Sequence, residues 1–184
     1  MIEISVDNLK QVQEAFKDTP KRVNTVLARA VNRAVTNAKA NMAKEASSKY
    51  VVKSRDVKLT IDTVKATAAN PSGTVRSKGN RIDFVDFKLS PKNLFKGAND
   101  YKIQITRSGG WKKVPGFAAE STKWGLCVRQ GIARYPWRRL MGPSVPQMIG
   151  NKEVIGVIER EAELTLNARI AAELNYELNV KSKK

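Results

Sequence analysis

The chain of 184 residues contains no histidine and only one cysteine, Cys127. These absences exclude an internal disulfide, a cysteine–histidine zinc site and the serine–histidine or cysteine–histidine pairs of nucleophilic enzymes. A chain of this length buries enough surface to fold without such crosslinks. We therefore expect a non-enzymatic protein with no catalytic residues, no bound metal and no cofactor.

Long hydrophobic runs are also missing. No apolar stretch approaches the roughly 20 residues that cross a bilayer, and residues 1–10 lack the basic segment and apolar run of a signal peptide. A single thiol fits a reducing compartment. The sequence therefore predicts a protein with no membrane partner, made and used in a cytoplasm.

Acidic residues are scarce, since 17 Asp and Glu stand against 34 Lys and Arg and leave a formal net charge of +17. Such a balance favours binding to polyanions or to an acidic partner surface. The sign is not uniform. Residues 152–177 hold six glutamates and three basic residues, a net of −3 that leaves +20 for the remainder. The acidic segment of one copy could therefore meet the basic body of another.

The N-terminal part is predicted to be helical over residues 7–48. Ile2, Ile4 and Val6 alternate with polar residues as in a short strand, and Asp7 can cap a helix after it. Proline at position 20 marks a second helix start. From there to about residue 48 the sequence predicts one helix of roughly 28 residues, about 42 Å long. Its apolar positions are Val23, Val26, Leu27, Ala30, Val31, Ala34, Ala38 and Met42.

One face of this long helix is basic. At 100° per residue, Arg22, Arg29, Arg33 and Lys44 fall within a sector of about 60°. One interpretation is a solvated face. The other is a face directed at nucleic acid or at an acidic neighbour.

A second long helix is predicted over residues 151–179, with Asn151 as its N-cap. Its apolar residues lie on two sides, because Ile158 and Leu166 are nearly opposite Leu164 and Ala171. A helix that is apolar on two sides needs two partners. We expect one to be the sheet of the same chain and the other to be a second chain.

The middle of the chain, residues 57–130, is predicted to form an antiparallel sheet. Alternating segments separated by turn clusters favour strands over residues 59–67, 74–76, 81–89, 101–106 and 124–130, after a loop at 51–55. In residues 81–89 the apolar positions change parity, which predicts burial on both faces or a bulge. Asp83 and Asp86 then point to opposite faces and cannot share a metal.

Basic and aromatic residues are interleaved over residues 107–139, where eight Lys and Arg face a single acid, Glu120. This composition is typical of a surface that binds nucleic acid. The alternative is that the three tryptophans, Trp111, Trp124 and Trp137, are core or interface anchors.

Several motifs resemble the minor tail protein Z family of long-tailed bacteriophages and prophages. Residues 135–148, YPWRRLMGPSVPQM, resemble its signature, and residues 81–88, RIDFVDFK, resemble its strand ending in Asp-Phe-Lys. Residues 115–119 and 124–129 resemble two later strands in the expected order, and residues 28–34 fit its helix rich in alanine and arginine. The chain departs from the pattern at Cys127, where an aromatic residue is usual, and at residues 118–120, AAE, where the family is more hydrophobic.

The resemblance implies an α+β subunit with a long helix packed on an antiparallel sheet, in a virion component that completes the tail. It implies a homo-oligomeric ring, commonly of six copies, at the head-proximal end of the tail. The implied partners are tail tube or terminator proteins, head-connector proteins and, non-specifically, phage DNA. The implied location is the virion, with assembly in the host cytoplasm.

The sequence as a whole predicts one α+β domain over residues 1–184, in which long N-terminal and C-terminal helices pack on the sheet. A proline-rich connector at 131–150 precedes the second helix, and a basic tail at 180–184 follows it. Pro143 and Pro146 predict that residues 142–147 are stiff and non-helical.

Two sets of site residues follow from these predictions. The subunit or partner interface is assigned to Trp137, Arg138, Leu140, Pro143, Val145, Pro146, Met148, Glu159 and Glu163. Residues facing DNA or the ring lumen are assigned to Arg22, Arg29, Arg33, Arg134 and Arg139. The leading hypothesis is a structural protein of the head–tail junction, and the alternative is a sequence-independent nucleic-acid-binding protein. A metal-dependent nuclease lacks the carboxylate cluster it needs.

Overall fold

The computed structural model describes residues 2–4, 20–94, 100–118 and 125–182, with the backbone alone at 2–4, 20–22, 174 and 177–182. The first strand, β1, is Ile2–Ile4, as its alternation predicts. The helix expected from Asp7, the basic tail from residue 183 onward, Glu120 and Trp124 lie outside the described residues.

Helix α1 runs over Pro20–Lys49 and confirms the predicted long helix. All eight residues of its predicted apolar stripe are buried. Its small and β-branched side chains let the sheet approach closely, since a Cβ added at Gly73 would lie 2.6 Å from the Val35 Cγ2. The Asn32 side chain fixes this approach, because its amide donates to the Ala66 carbonyl at 3.0 Å and its oxygen accepts from the Ala66 N–H at 2.8 Å.

Helix α4, Lys152–Ser182, packs antiparallel against α1. Lys49 pairs with Glu153 at one end of this contact, and Arg29 lies 3.9 Å from Glu173 at the other. The pairs are twenty residues apart on both helices, so the contact keeps one register over about 30 Å. The buried inner face of α4 consists of Val154, Ile158, Ala162 and Leu166. The same helix also contacts β1 and the short helix that precedes it.

The strands form four small antiparallel sheets, which confirms the α+β class. After β1, the strands are β2 Ile61–Val64, β3 Gly73–Ser77, β4 Arg81–Asp83, β5 Lys88–Ser90, β6 Lys102–Gln104, β7 Lys112–Lys113, β8 Phe117–Ala118, β9 Leu126–Arg129, β10 Trp137–Arg139 and β11 Met141–Ser144. The orders in the four sheets are β1-β3-β2, β11-β4, β5-β6-β7 and β10-β9-β8.

Two predicted strands differ from the structure. Residues 51–55 are not all loop and residues 59–67 are not all strand, because a short helix, α2, occupies Ser54–Leu59. The segment 81–89 is divided by a 3-10 turn at Phe84–Asp86, which is capped by the Asp83 side chain accepting from the Val85 N–H. This turn explains the change of parity in its apolar residues.

The prediction that residues 142–147 are non-helical was wrong for residues 145–147, whereas residues 142–144 belong to β11. Helix α3 covers Val145–Ile149 and begins with a capping box in which the side chains of Ser144 and Gln147 bond each other's backbone N–H. Pro146 lies in the first turn, where a missing N–H costs nothing. The sequence Ser-x-x-Gln at residues 144–147 is typical of a helix start. The two prolines favoured an extended segment instead, and the helix was therefore not predicted.

No helix in the described ranges combines the length and apolar character needed to cross a membrane.

Candidate interaction surfaces

The described side chains do not assemble a metal site. No group of three His, Cys, Asp or Glu in the described ranges is arranged as metal ligands. Asp83 is buried and Asp86 is exposed, so these two carboxylates do not converge. A groove of about 620 Å³ lies beside α2, β4 and β5. Its charged lining residues are of both signs: Lys53, Asp56, Asp86, Lys88 and Arg107.

The strands β9 and β10 form a hairpin, residues 126–139, with Trp137 opposite Arg129 and Arg138 opposite Val128. The connecting residues 130–136 are all exposed. Ile132 is fully exposed at this tip and Tyr135 is 57% exposed. The hairpin therefore presents apolar side chains that its own chain does not cover.

Aromatic and arginine side chains form a continuous ladder along this hairpin. The Arg129 guanidinium lies 5.8 Å from the Phe117 ring centre, which stacks on Trp137 at 5.5 Å. Tyr135 follows 5.7 Å from Trp137, and the Arg134 guanidinium lies 5.7 Å from Tyr135. Ring stacking and cation–π contacts hold these side chains in place before any partner arrives, which lowers the ordering cost of binding.

The base of the hairpin is held by a buried carboxylate. Asp83 is 6% exposed, and its Oδ2 forms an ion pair with Arg139 that lacks hydrogen-bond alignment. Its Oδ1 accepts from the Val85 N–H at 3.2 Å. Gly125 has a φ of +62° and approaches the same carboxylate, where a Cβ would stand 3.1 Å from Oδ2. Burial raises the pKa of the neighbouring Cys127 thiol, and the Arg139 charge opposes that effect.

A second uncovered surface lies on α4. Opposite its buried stripe the helix exposes Glu163, Leu164 and Ala171, with Glu159 at the border. We call these residues the outer face of α4, and Arg160 also belongs to it. Leu164 is 58% exposed. Within the described ranges, Glu159 and Glu163 form no ion pair, whereas Glu153 and Glu173 pair with α1.

The predicted interface residues divide into three groups. Val145 and Met148 are buried in the core of this chain, so we withdraw them from the candidate surface. Leu140, Pro143 and Pro146 are half-buried beside them. Trp137 is also half-buried, where it contacts the rings of Phe117 and Tyr135. The others are exposed, with Arg138 on the hairpin and with Glu159 and Glu163 on α4.

The arginines expected to face DNA or a lumen are also divided between elements. Arg29 and Arg33 are exposed on α1, although Arg29 contacts Glu173. The backbone of Arg22 lies in the same helix, and its side chain is not described. Arg134 is exposed on the hairpin, whereas Arg139 is bound to Asp83 at its base.

Arg129 and Ile132 are exposed residues of the hairpin that were not among the predicted site residues. The available signal was residues 130–133, QGIA, which put an apolar side chain into a turn beside Gly131. Comparison with family models, curated proteins and solved structures finds no match for this chain.

Proposed function

We propose that this chain is a structural, non-enzymatic virion protein that completes a phage tail at its head-proximal end. In this proposal several copies form a ring around the DNA passage at the head–tail junction. The resemblance of residues 135–148 and 81–88 to the minor tail protein Z family motivates the location. It also motivates the six-fold ring and the tail-tube and head-connector partners.

The observation that supports an oligomer is that the described part of the chain leaves two surfaces of opposite charge uncovered, each with exposed apolar side chains. The hairpin exposes Ile132 and Tyr135 among arginines, and the outer face of α4 exposes Leu164 among glutamates. Exposed apolar residues grouped with charge are typical of protein interfaces. Contacts between two different surfaces are head-to-tail, and they close into a ring when the rotation permits.

Cryo-electron microscopy of intact particles from the phage that encodes this chain tests the location. We expect symmetric density for this chain between the tail tube and the head connector. Density elsewhere, or no copy in mature particles, would contradict the location. Particles assembled without the chain are expected to have tails that fail to join heads, which gives a second readout.

A second candidate is a sequence-independent nucleic-acid-binding protein, and the ladder on the hairpin favours it. Arginines beside exposed rings can contact phosphates and stack on bases. Its test is a salt titration of binding to a random-sequence oligonucleotide. A true nucleic-acid binder loses affinity by orders of magnitude between low and physiological salt, in proportion to the phosphates contacted. Tight binding of this kind by a protein that forms no oligomer would replace the ring proposal.

A further inference from the structure

We propose that the hairpin of one copy docks on the outer face of α4 in the next copy. This inference rests on the proposed function, because it names the contact that joins neighbouring subunits. It assigns the partner of the hairpin as a second copy of this chain and excludes nucleic acid as its main ligand.

Charge complementarity is the first argument. Residues 129–139 contain four arginines and no acid, whereas the outer face of α4 carries two glutamates, Glu159 and Glu163, and one arginine, Arg160. Trp137 and Arg138 are adjacent on a strand, so their side chains point to opposite faces of the hairpin. The hairpin therefore presents arginines both on the face of the ladder and on the opposite face. Complementary charges of this kind speed association and select the partner surface.

Apolar exposure is the second argument. Eight large hydrophobic side chains are exposed in the described ranges, and four of them, Ile132, Tyr135, Leu164 and Tyr176, lie on the hairpin or on α4. Ile132 stands at the hairpin tip, and Leu164 and Ala171 form an apolar strip between the acidic residues of α4. Docking the tip on this strip would remove both from water.

The open face of α1 is a poorer receptor for α4 than the hairpin is. The open face of α1 carries Arg29, Arg33 and Lys44, but Arg29 already contacts Glu173 of its own chain. Between these cations the face exposes only small side chains, Thr36 and Ala40. It therefore offers charge without an apolar anchor, whereas the hairpin offers both.

Cysteine crosslinking tests the contact directly, because the single native thiol, Cys127, is buried. One preparation of full-length chain carries Arg134→Cys and the other carries Glu163→Cys, and the two are mixed under a mild oxidant. Two thiols then give one disulfide, with the two electrons and two protons taken up by the oxidant. We expect a covalent heterodimer from the mixture and little crosslinking within either preparation alone. The matched control replaces Arg134→Cys by Thr36→Cys, which is exposed on α1, and should give no specific crosslink.

A charge exchange provides an independent readout of the same contact. Arg134→Glu with Arg138→Glu should weaken self-association at least roughly tenfold in native mass measurement, since like charges oppose each other. Glu159→Lys with Glu163→Lys in the neighbouring copy should restore it. All four positions are exposed, so the fold should be retained.

The outcomes separate this inference from the function on which it rests. If a ring forms but no crosslinked heterodimer appears, and the charge exchange does not change self-association, the docking contact is overturned. The ring proposal then still stands. A chain that stays monomeric and is absent from the tail end would overturn both. Loss of oligonucleotide binding in the arginine variants, with self-association unchanged, would overturn the inference in favour of a nucleic-acid ligand.

Discussion

The inner face of α4 and the β9–β10 hairpin use similar residues in opposite ways. On α4, Ile158 and Ala162 are buried against the rest of the chain, and ion pairs to Lys49 and Arg29 mark the two ends of the helix contact. On the hairpin, Ile132 is fully exposed and residues 129–139 contain no acid to balance their arginines. The first region has its partners within the chain, whereas in the second region Arg139 alone forms an ion pair with another described residue, Asp83.

This difference separates what holds the fold from what is left for a partner. Burial of apolar surface supplies most of the stability of a domain, and the contact between α1 and α4 buries it over about 30 Å. The hairpin is instead attached at its base, through the pairing of β8 with β9, the buried Leu126 and the ion pair between Asp83 and Arg139. The residues of its tip, 130–136, are all exposed. Its tip can therefore change without loss of the fold, and its surface can be selected for a partner.

The largest effect is expected within α4 itself. Ile158→Ala should lower the free energy of unfolding by about 2–5 kcal/mol, because it leaves a cavity in a fully buried site. Leu164→Ala, on the outer face, should change it by less than about 0.5 kcal/mol. Urea unfolding of the two variants measures the contrast. Equal losses would remove the distinction between an inner and an outer face.

A smaller contrast is expected between neighbouring arginines of the hairpin. Arg139→Met leaves the buried Asp83 carboxylate without its ion pair and should cost about 1–3 kcal/mol, a range reduced because Arg139 is itself partly exposed. Arg138→Met, on the exposed side of the same strand, should cost less than about 0.5 kcal/mol. Thermal unfolding of both variants measures the difference in stability between them. If Arg139→Met did not lower stability, the base of the hairpin would contribute as little to the fold as its tip.

The proline-containing segment is expected to behave as part of the interior. Ser144→Ala removes the cap of α3 and should cost about 1 kcal/mol. Ser48→Ala removes an exposed hydroxyl that bonds within α1 and serves as the control with little effect. If Ser144→Ala left the free energy of unfolding unchanged, residues 141–149 would behave as a connector and not as part of the interior.

The smallest effect is expected from the ion pair at the end of α4. The Lys49 ammonium lowers the pKa of Glu153 below its ordinary value, first through a hydrogen bond and then through its charge. The stabilisation is therefore present above the pKa of the unfolded carboxyl and is lost as pH falls through the lower folded value. Glu153→Gln should flatten the acid side of the stability profile slightly.

The sequence predicted the two long helices well because their determinants are local. The apolar stripe of α1 and the cap at Asn151, whose side chain accepts from the Glu153 N–H at 3.2 Å, can be read from spacing alone. The same applies to Ser144 and Gln147, although the adjacent prolines were weighted more heavily.

The division into four sheets and the ladder on the hairpin could not be predicted in this way. Phe117 meets Trp137, and Asp83 meets Arg139, through strand pairings between distant parts of the chain. Such pairings depend on tertiary packing. The candidate site was therefore predicted as a composition, basic and aromatic, while its geometry came from the structure. Val145 and Met148 illustrate the same limit, because an apolar residue next to a proline can face the core or a partner.

The most direct test of self-association is native mass measurement of the full-length protein over a series of salt concentrations. The account predicts one discrete closed species, an integer multiple of the 20.4 kDa chain, that dissociates as salt screens the charged contact. A monomer of 20.4 kDa at every protein and salt concentration, with the hairpin and the outer face of α4 both open to hydrogen exchange, would contradict it.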